Sequence, residues 1–243
     1  MGKAAPRRRG VGAAGVHAAL RLAACAFPGA AGAGEIDALL FGSLDAGAAS
    51  FLSVGAKAAF DGLGQSGFVV MGSGGGGRRV EASCGCGASL TRYTAIGAVV
   101  GGYQWVSDWG VVALQAGPEA SIEALTDGLK LAALPLRWGL RLQGEIWARP
   151  TAETLVQVNA VLGSARDSAW VRIGVGYRVW DTYFGPEASL YTDRTGYAKW
   201  NLGIHATDFA FGAYSFRLSG GIQIESSERR PSPYVALSAW TPW

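Results

Sequence analysis

Residues 134–165 alternate apolar and polar side chains through two arms that reverse direction once, and few folds accept that pattern. Leu136, Trp138, Leu140, Leu142, Ile146 and Ala148 share one parity, while Arg137, Arg141, Gln143 and Glu145 share the other. After a turn at 149–152, Val156, Val158, Ala160 and Leu162 alternate with Gln157 and Asn159. Period two is a strand with one apolar and one polar face. Each arm runs to about ten residues or more, the length that crosses hydrocarbon at a tilt, whereas soluble strands average about five or six. The hairpin therefore reads as part of a membrane barrel.

The same pattern returns along the chain. Val171, Ile173, Val175, Tyr177 and Val179 oppose Arg172 and Arg178; Trp200, Leu202 and Ile204 oppose Lys199, Asn201 and His205; Tyr214, Phe216, Leu218, Ile222 and Ile224 oppose Arg217, Gln223 and Glu225. Strands are expected near 36–45, 50–60, 66–74, 91–105, 110–121, 134–148, 154–164, 168–180, 183–192, 196–206, 213–225 and 233–243. Twelve antiparallel strands make an even-numbered, all-β transmembrane barrel. Connectors at 72–90, 122–133 and 226–232 should lie outside. Those at 61–65, 106–109, 149–153 and 181–182 should be inner turns, if the chain starts on the inner side. Low charge (16%) with 37 Gly, and no long apolar run after residue 40, oppose a helical membrane protein. A soluble or lipid-tethered periplasmic β protein is the alternative of another class.

Residues 1–33 read as a cleavable signal peptide: Lys3, Arg7, Arg8 and Arg9 precede an apolar segment ending Ala31-Gly32-Ala33, so the barrel domain is 34–243. Leu22-Ala23-Ala24-Cys25 offers a rival lipidation site. Removing the leader takes five of 21 basic residues and none of 18 acidic ones, so the formal charge moves from +3 to −2. No nucleic-acid footprint remains. Cys84 and Cys86 sit in the glycine-rich segment, where a ring closed across one residue would be strained and two thiols make a poor metal site. No metal or cofactor is expected.

Eleven aromatics near strand ends, namely Tyr103, Trp105, Trp109, Trp147, Trp170, Trp180, Tyr183, Tyr191, Tyr197, Tyr234 and Trp240, are expected to form headgroup belts. The last segment alternates to Trp243, as in strands read by outer-membrane insertion machinery.

Gly117-Pro118-Glu119-Ala120-Ser121 recurs as Gly185-Pro186-Glu187-Ala188-Ser189. Both copies should sit at similar depth with Glu inward and Pro at a bulge or bend. Glu119 and Glu187 could form a constriction or sugar-binding pair. Ion pairing to lumen arginines such as Arg137, Arg141, Arg172 and Arg178 is favoured, because unpaired charges in a narrow lumen are costly. The polar lumen is expected to comprise Arg137, Arg141, Glu145, Gln157, Asn159, Arg172, Arg178, Glu119 and Glu187. Past the leader His205 is the sole histidine, with Thr207 on its parity. A barrel lipid hydrolase would need that pair as base and nucleophile, yet no Ser-centred motif accompanies it.

Phe41-Gly42-Ser43-Leu44, Gly55-Ala56-Lys57, Gly102-Tyr103-Gln104-Trp105, Gly117-Pro118-Glu119, Gly144-Glu145-Ile146-Trp147, Gly163-Ser164-Ala165-Arg166 and Leu237-Ser238-Ala239-Trp240, in this order, resemble the cellulose biosynthesis protein BcsS family of alphaproteobacteria. The resemblance spans nearly all of the chain past the leader. It implies an outer-membrane accessory of cellulose synthesis and export, with outer-membrane lipid and either cellulose or its secretion machinery as partners. The role would be binding or passage through the lumen and outer loops. No catalytic residue carries over.

Overall fold

The computed structural model describes residues 37–82, 89–227 and 230–243. The expected signal peptide (1–33), Cys25, Cys84 and Cys86 lie outside the described residues.

The chain forms β1 (Asp37–Ala46), β2 (Ser50–Ala59), β3 (Gly67–Ala82), β4 (Ser89–Ser107), β5 (Gly110–Thr126), β6 (Leu131–Ala133) and β7 (Arg137–Thr151). It continues as β8 (Thr154–Gly163), β9 (Ser168–Val179), β10 (Thr182–Thr192), β11 (Ala198–Phe211), β12 (Tyr214–Glu225) and β13 (Ser232–Pro242). Each strand but β6 pairs antiparallel with its neighbours. The sheet closes where Phe41 of β1 stands beside Trp240 of β13. Leaving out the short β6, which pairs only with β5, this is a closed antiparallel barrel of twelve strands.

Both described ends of the barrel, Asp37 and Pro242, lie at the end where β4–β5, β7–β8, β9–β10 and β11–β12 are joined by two-residue turns. That end is called inner here, and the opposite end outer. One inner connector, 60–66, is longer. It is folded back under the barrel by the Gln104 amide, which donates to the carbonyls of Gly62, Leu63 and Gln65. The expected strands all form, but within the expected outer connector 72–90, residues 72–82 belong to β3 and 89–90 to β4. Gly72–Gly77 continue β3, paired to Ala56–Phe51 on one side and to Val99–Thr94 on the other. β3, β4 and β5 are thereby 16, 19 and 17 residues long and project beyond the other strands at the outer end.

The alternation sorts by face as hydrocarbon requires. Leu40, Leu52, Val70, Val99, Leu114, Leu140, Ile173, Leu202, Leu218 and Leu237 are exposed on the outside, while Gln104, Gln157, Asn201, His205 and Arg217 are buried within. Apolar outside and polar inside inverts the order of a water-soluble protein, so this surface is matched to lipid. A Leu202→Arg change, in mid-β11 between Ala188 and Ile222, should cost roughly 2–4 kcal/mol of folding into vesicles. Heat-modifiable gel migration checks it, and an unchanged folded fraction would remove the lipid assignment.

The aromatic belt is smaller than expected. An outward cluster at the inner end joins Phe68 to Tyr103 (centroids 5.3 Å) and Tyr103 to Trp105 (5.1 Å). Trp147, Trp170, Tyr183, Tyr191, Tyr234 and Trp240 instead carry the inward parity of their strands, and Tyr197 is buried in the β10–β11 loop. Trp147 and Trp240 meet edge to face inside, centroids 5.6 Å apart. Position at a strand end does not set the face; parity does.

Candidate functional site

The inward side chains form three layers. At the outer mouth, Arg79 on β3 reaches Asp193 of the β10–β11 loop (2.6 Å), although β3 and β10 stand opposite each other in the ring. Arg79 also donates to Glu81 (2.9 Å) and to the Thr195 hydroxyl (2.8 Å), and its guanidinium lies over the Tyr197 ring. Arg166, from the β8–β9 loop, binds the same Asp193 (3.0 Å) and Glu123 (2.8 Å). Arg194 donates to Glu123 and Arg92 to Glu81. The long strands β3–β5 are thus tied across the mouth to the loops of the far wall. Burial pushes the Asp193 carboxyl upward, but hydrogen bonds from Arg79 and Thr195 outweigh it and hold the group below the usual carboxylate range.

In the middle layer, Glu187 accepts from Arg217, from Ser219 (3.2 Å) and from Tyr234 (3.3 Å), all buried. Lys57 on β2 lies 3.6 Å from Glu145 on β7. Nearer the outer ends of β1 and β11, Asp45 holds Lys199 (3.3 Å) and Asn201 (3.2 Å). At the inner mouth, Arg149 of β7 pairs with Asp208 of β11 (2.6 Å). The Asp208 backbone has a positive φ of 71° at a register shift, and this bulge aims its carboxylate inward. Around the pair lies a cavity of about 460 Å³, also lined by Asp108, Arg178, Asp181 and Tyr183.

His205 and Thr207 do approach. Their Nδ1 and Oγ1 are 2.7 Å apart, and Nε2 is 3.3 Å from the Val175 carbonyl. With Nε2–H donating to that carbonyl, Thr207 donates to Nδ1. The third partner is a neutral carbonyl in place of the carboxylate of a catalytic triad, and Thr207 is 0% exposed.

A sequence model of the family described as cellulose biosynthesis protein BcsS matches residues 39–243. The chain belongs to the BcsS family. No curated protein sequence matches it. Solved structures similar to this BcsS-family barrel include the KdgM porin, at 9% identity and TM-score 0.43, with 84% of this chain and 98% of that one covered. Others are the transport unit of the autotransporter AIDA-I from Escherichia coli (10%, 0.46, 86% and 90%) and Ail, the attachment invasion locus protein of Yersinia pestis (6%, 0.33, 86% and 97%).

The BcsS-family lumen holds most of the predicted residues but pairs them differently. Glu145, Asn159 and Arg172 sit side by side on β7, β8 and β9, with Gln157 buried one inward position away along β8. Arg141 also faces in, while Arg137 is exposed at the outer start of β7. Arg178 is not deep in the lumen. It binds Asp181 of its own turn (2.9 Å), with 46% and 97% of the two side chains exposed.

One repeated Glu forms the expected salt bridge to a lumen arginine, though to none of the four singled out, and the other does not. Glu187 takes Arg217, two strands away on β12. Glu119 accepts the backbone N–H of Ala165 in the β8–β9 loop (2.9 Å). The two are not at one depth either: Glu119 lies nine residues from the inner end of β5 and Glu187 five from that of β10. Each Pro interrupts one ladder, between Ala98–Glu119 and Gly101–Ala116 and between Phe184–Tyr177 and Glu187–Gly174, without adding a residue. These are interruptions where no donor is offered, not bulges. Sequence reasoning missed Lys57, Arg79, Arg92, Glu123, Arg166 and Asp193. Inward parity could have found Lys57 and Arg92, whereas the loop residues carry no such signal.

Proposed function

We propose that this barrel sits in the bacterial outer membrane as an accessory of cellulose biosynthesis and acts by binding, at its lumen and outer end, and not by conduction. The observation that carries this reading is the set of side-chain bridges crossing the lumen: Arg79–Asp193 at the outer mouth, Lys57–Glu145 and Trp147–Trp240 within, and Arg149–Asp208 at the inner mouth. A sugar polymer threading a fixed barrel would have to part all of them. Family membership supports the cellulose context, and the apolar girdle supports the membrane. Residues 1–33 would direct export, leaving a chain that begins at Gly34; a lipid-bearing Cys25 on the mature protein would overturn that.

The purified protein should be silent in planar bilayers. Steady conductance steps would remove the closed-lumen reading. Deleting the chain from its host should lower the yield or redistribute the secreted cellulose at the surface, and an unchanged yield and distribution would detach it from the pathway.

A further inference from the structure

Along β1–β3 the inward positions of the lumen wall include the small residues Ser43, Ser53, Gly55, Ser73, Gly75 and Gly77 together with Phe41 and Phe51, beside the paired Asp45, Lys57 and Arg79. These two rings lie on glycine. Cε1 and Cζ of Phe51 occupy the place of a Cβ at Gly75, and Cδ2 that of a Cβ at Gly77, so the ring spans both and lies flat against β3. The Phe41 ring does the same over Gly55. Both phenylalanines are only half-buried, and among the described residues neither ring pairs with another aromatic, so a face of each is turned to the lumen.

Polar groups border the rings. Asp45 is the cross-strand neighbour of Phe51, and its Oδ1 is buried without a hydrogen-bond partner among the described groups. The Ser43 and Ser53 hydroxyls, 2.8 Å apart, lie between the two rings. Trp240 stands beside Phe41. Phe51 and Gly55, the bed of Phe41, are four residues apart on one strand, on the order of 13 Å.

We propose that this wall is a binding track for a short segment of neutral β-linked glucan, with Phe51 and Phe41 stacking on sugar faces and Asp45 Oδ1 accepting a sugar hydroxyl. The inference rests on the accessory reading above and names the ligand of its lumen. A flat aromatic face meets the C–H face of a pyranose without needing a charge, and two faces aligned along one straight wall select an extended chain over a coiled one. The carboxylate beside them fixes orientation through a hydroxyl. An apolar ring kept only for packing would turn its faces to other side chains, not to a polar lumen.

The test is titration of the full mature chain in detergent with cellotetraose, read by tryptophan fluorescence, since Trp147 and Trp240 adjoin the track. Saturable binding is expected, and maltotetraose should bind more weakly. Phe51→Leu and Phe41→Leu keep apolar bulk but lose the planar face. Each should weaken cellotetraose binding about tenfold with unchanged heat-modifiable migration, and Phe51→Tyr should restore it. Equal binding by the leucine variants, equal binding of maltotetraose, or no response from the folded wild type would overturn the track. The deletion phenotype is scored independently, so the accessory reading stands or falls on its own.

Discussion

Replacing Arg217 by Met should destabilise the barrel by about 3–5 kcal/mol, because it leaves the Glu187 carboxylate buried without its cation. Glu187 and Arg217 side chains are 3% and 2% exposed, and only Ser219 and Tyr234 remain to hold the acid. Changing both partners, Glu187→Gln with Arg217→Met, should recover much of the loss, since the cost comes from the stranded charge more than from the missing attraction. The Arg178–Asp181 pair is the control. It lies in an exposed turn, so Arg178→Gln should change stability by about 0–1 kcal/mol. Urea unfolding of vesicle-embedded protein, followed by tryptophan fluorescence, measures all of these. If the two single variants lose the same stability, burial is not what makes the lumen pair matter.

How much of this could be read from the chain alone differs from place to place, for physical reasons. The hairpin of β7 and β8 is legible because a charge on the wrong face would be unsolvated in hydrocarbon, so its pattern is clean. β3 is not, because Gly72–Gly77 is nearly devoid of side chains to alternate. Its strand character comes from the ladders on either side. The same glycines that hide the strand make room for the Phe51 ring.

Within the lumen, parity tells in from out but not which strand is reached. Glu187 and Arg217 both read as inward, yet their pairing depends on the tilt and order of β10–β12. Trp147 shares the parity of Glu145, so its inward direction is legible in the sequence, whereas its place near a strand end points the other way, to a belt.

The outer mouth should come apart when Asp193 loses its charge. Asp193→Asn removes the anion that Arg79 and Arg166 share at a side-chain site that is 0% exposed, leaving Arg79 with Glu81 and Arg166 with Glu123 and no carboxylate joining the two. Breaking a buried ion pair costs about 3–5 kcal/mol. If opening is fast relative to cleavage, the open population rises on the order of a hundredfold or more. Trypsin should then nick after Arg166 and Arg194 at a correspondingly higher rate, with the barrel strands intact.

Acid should not mimic the variant under mild conditions. The Asp193 carboxyl lies below its unfolded value, so its contribution is fully present above the unfolded pKa of about 3.9 and fades only as pH falls through the lower folded one. Wild-type loops should therefore resist trypsin equally at pH 8 and after incubation at pH 5, with protection falling only in stronger acid. Loss of protection at pH 5, or an Asp193→Asn variant cleaved no faster than wild type, would mean that the mouth is not held by this carboxylate. In that case the projecting strands β3–β5 would stand on their own ladders, and the loops of the far wall would be free to move without them.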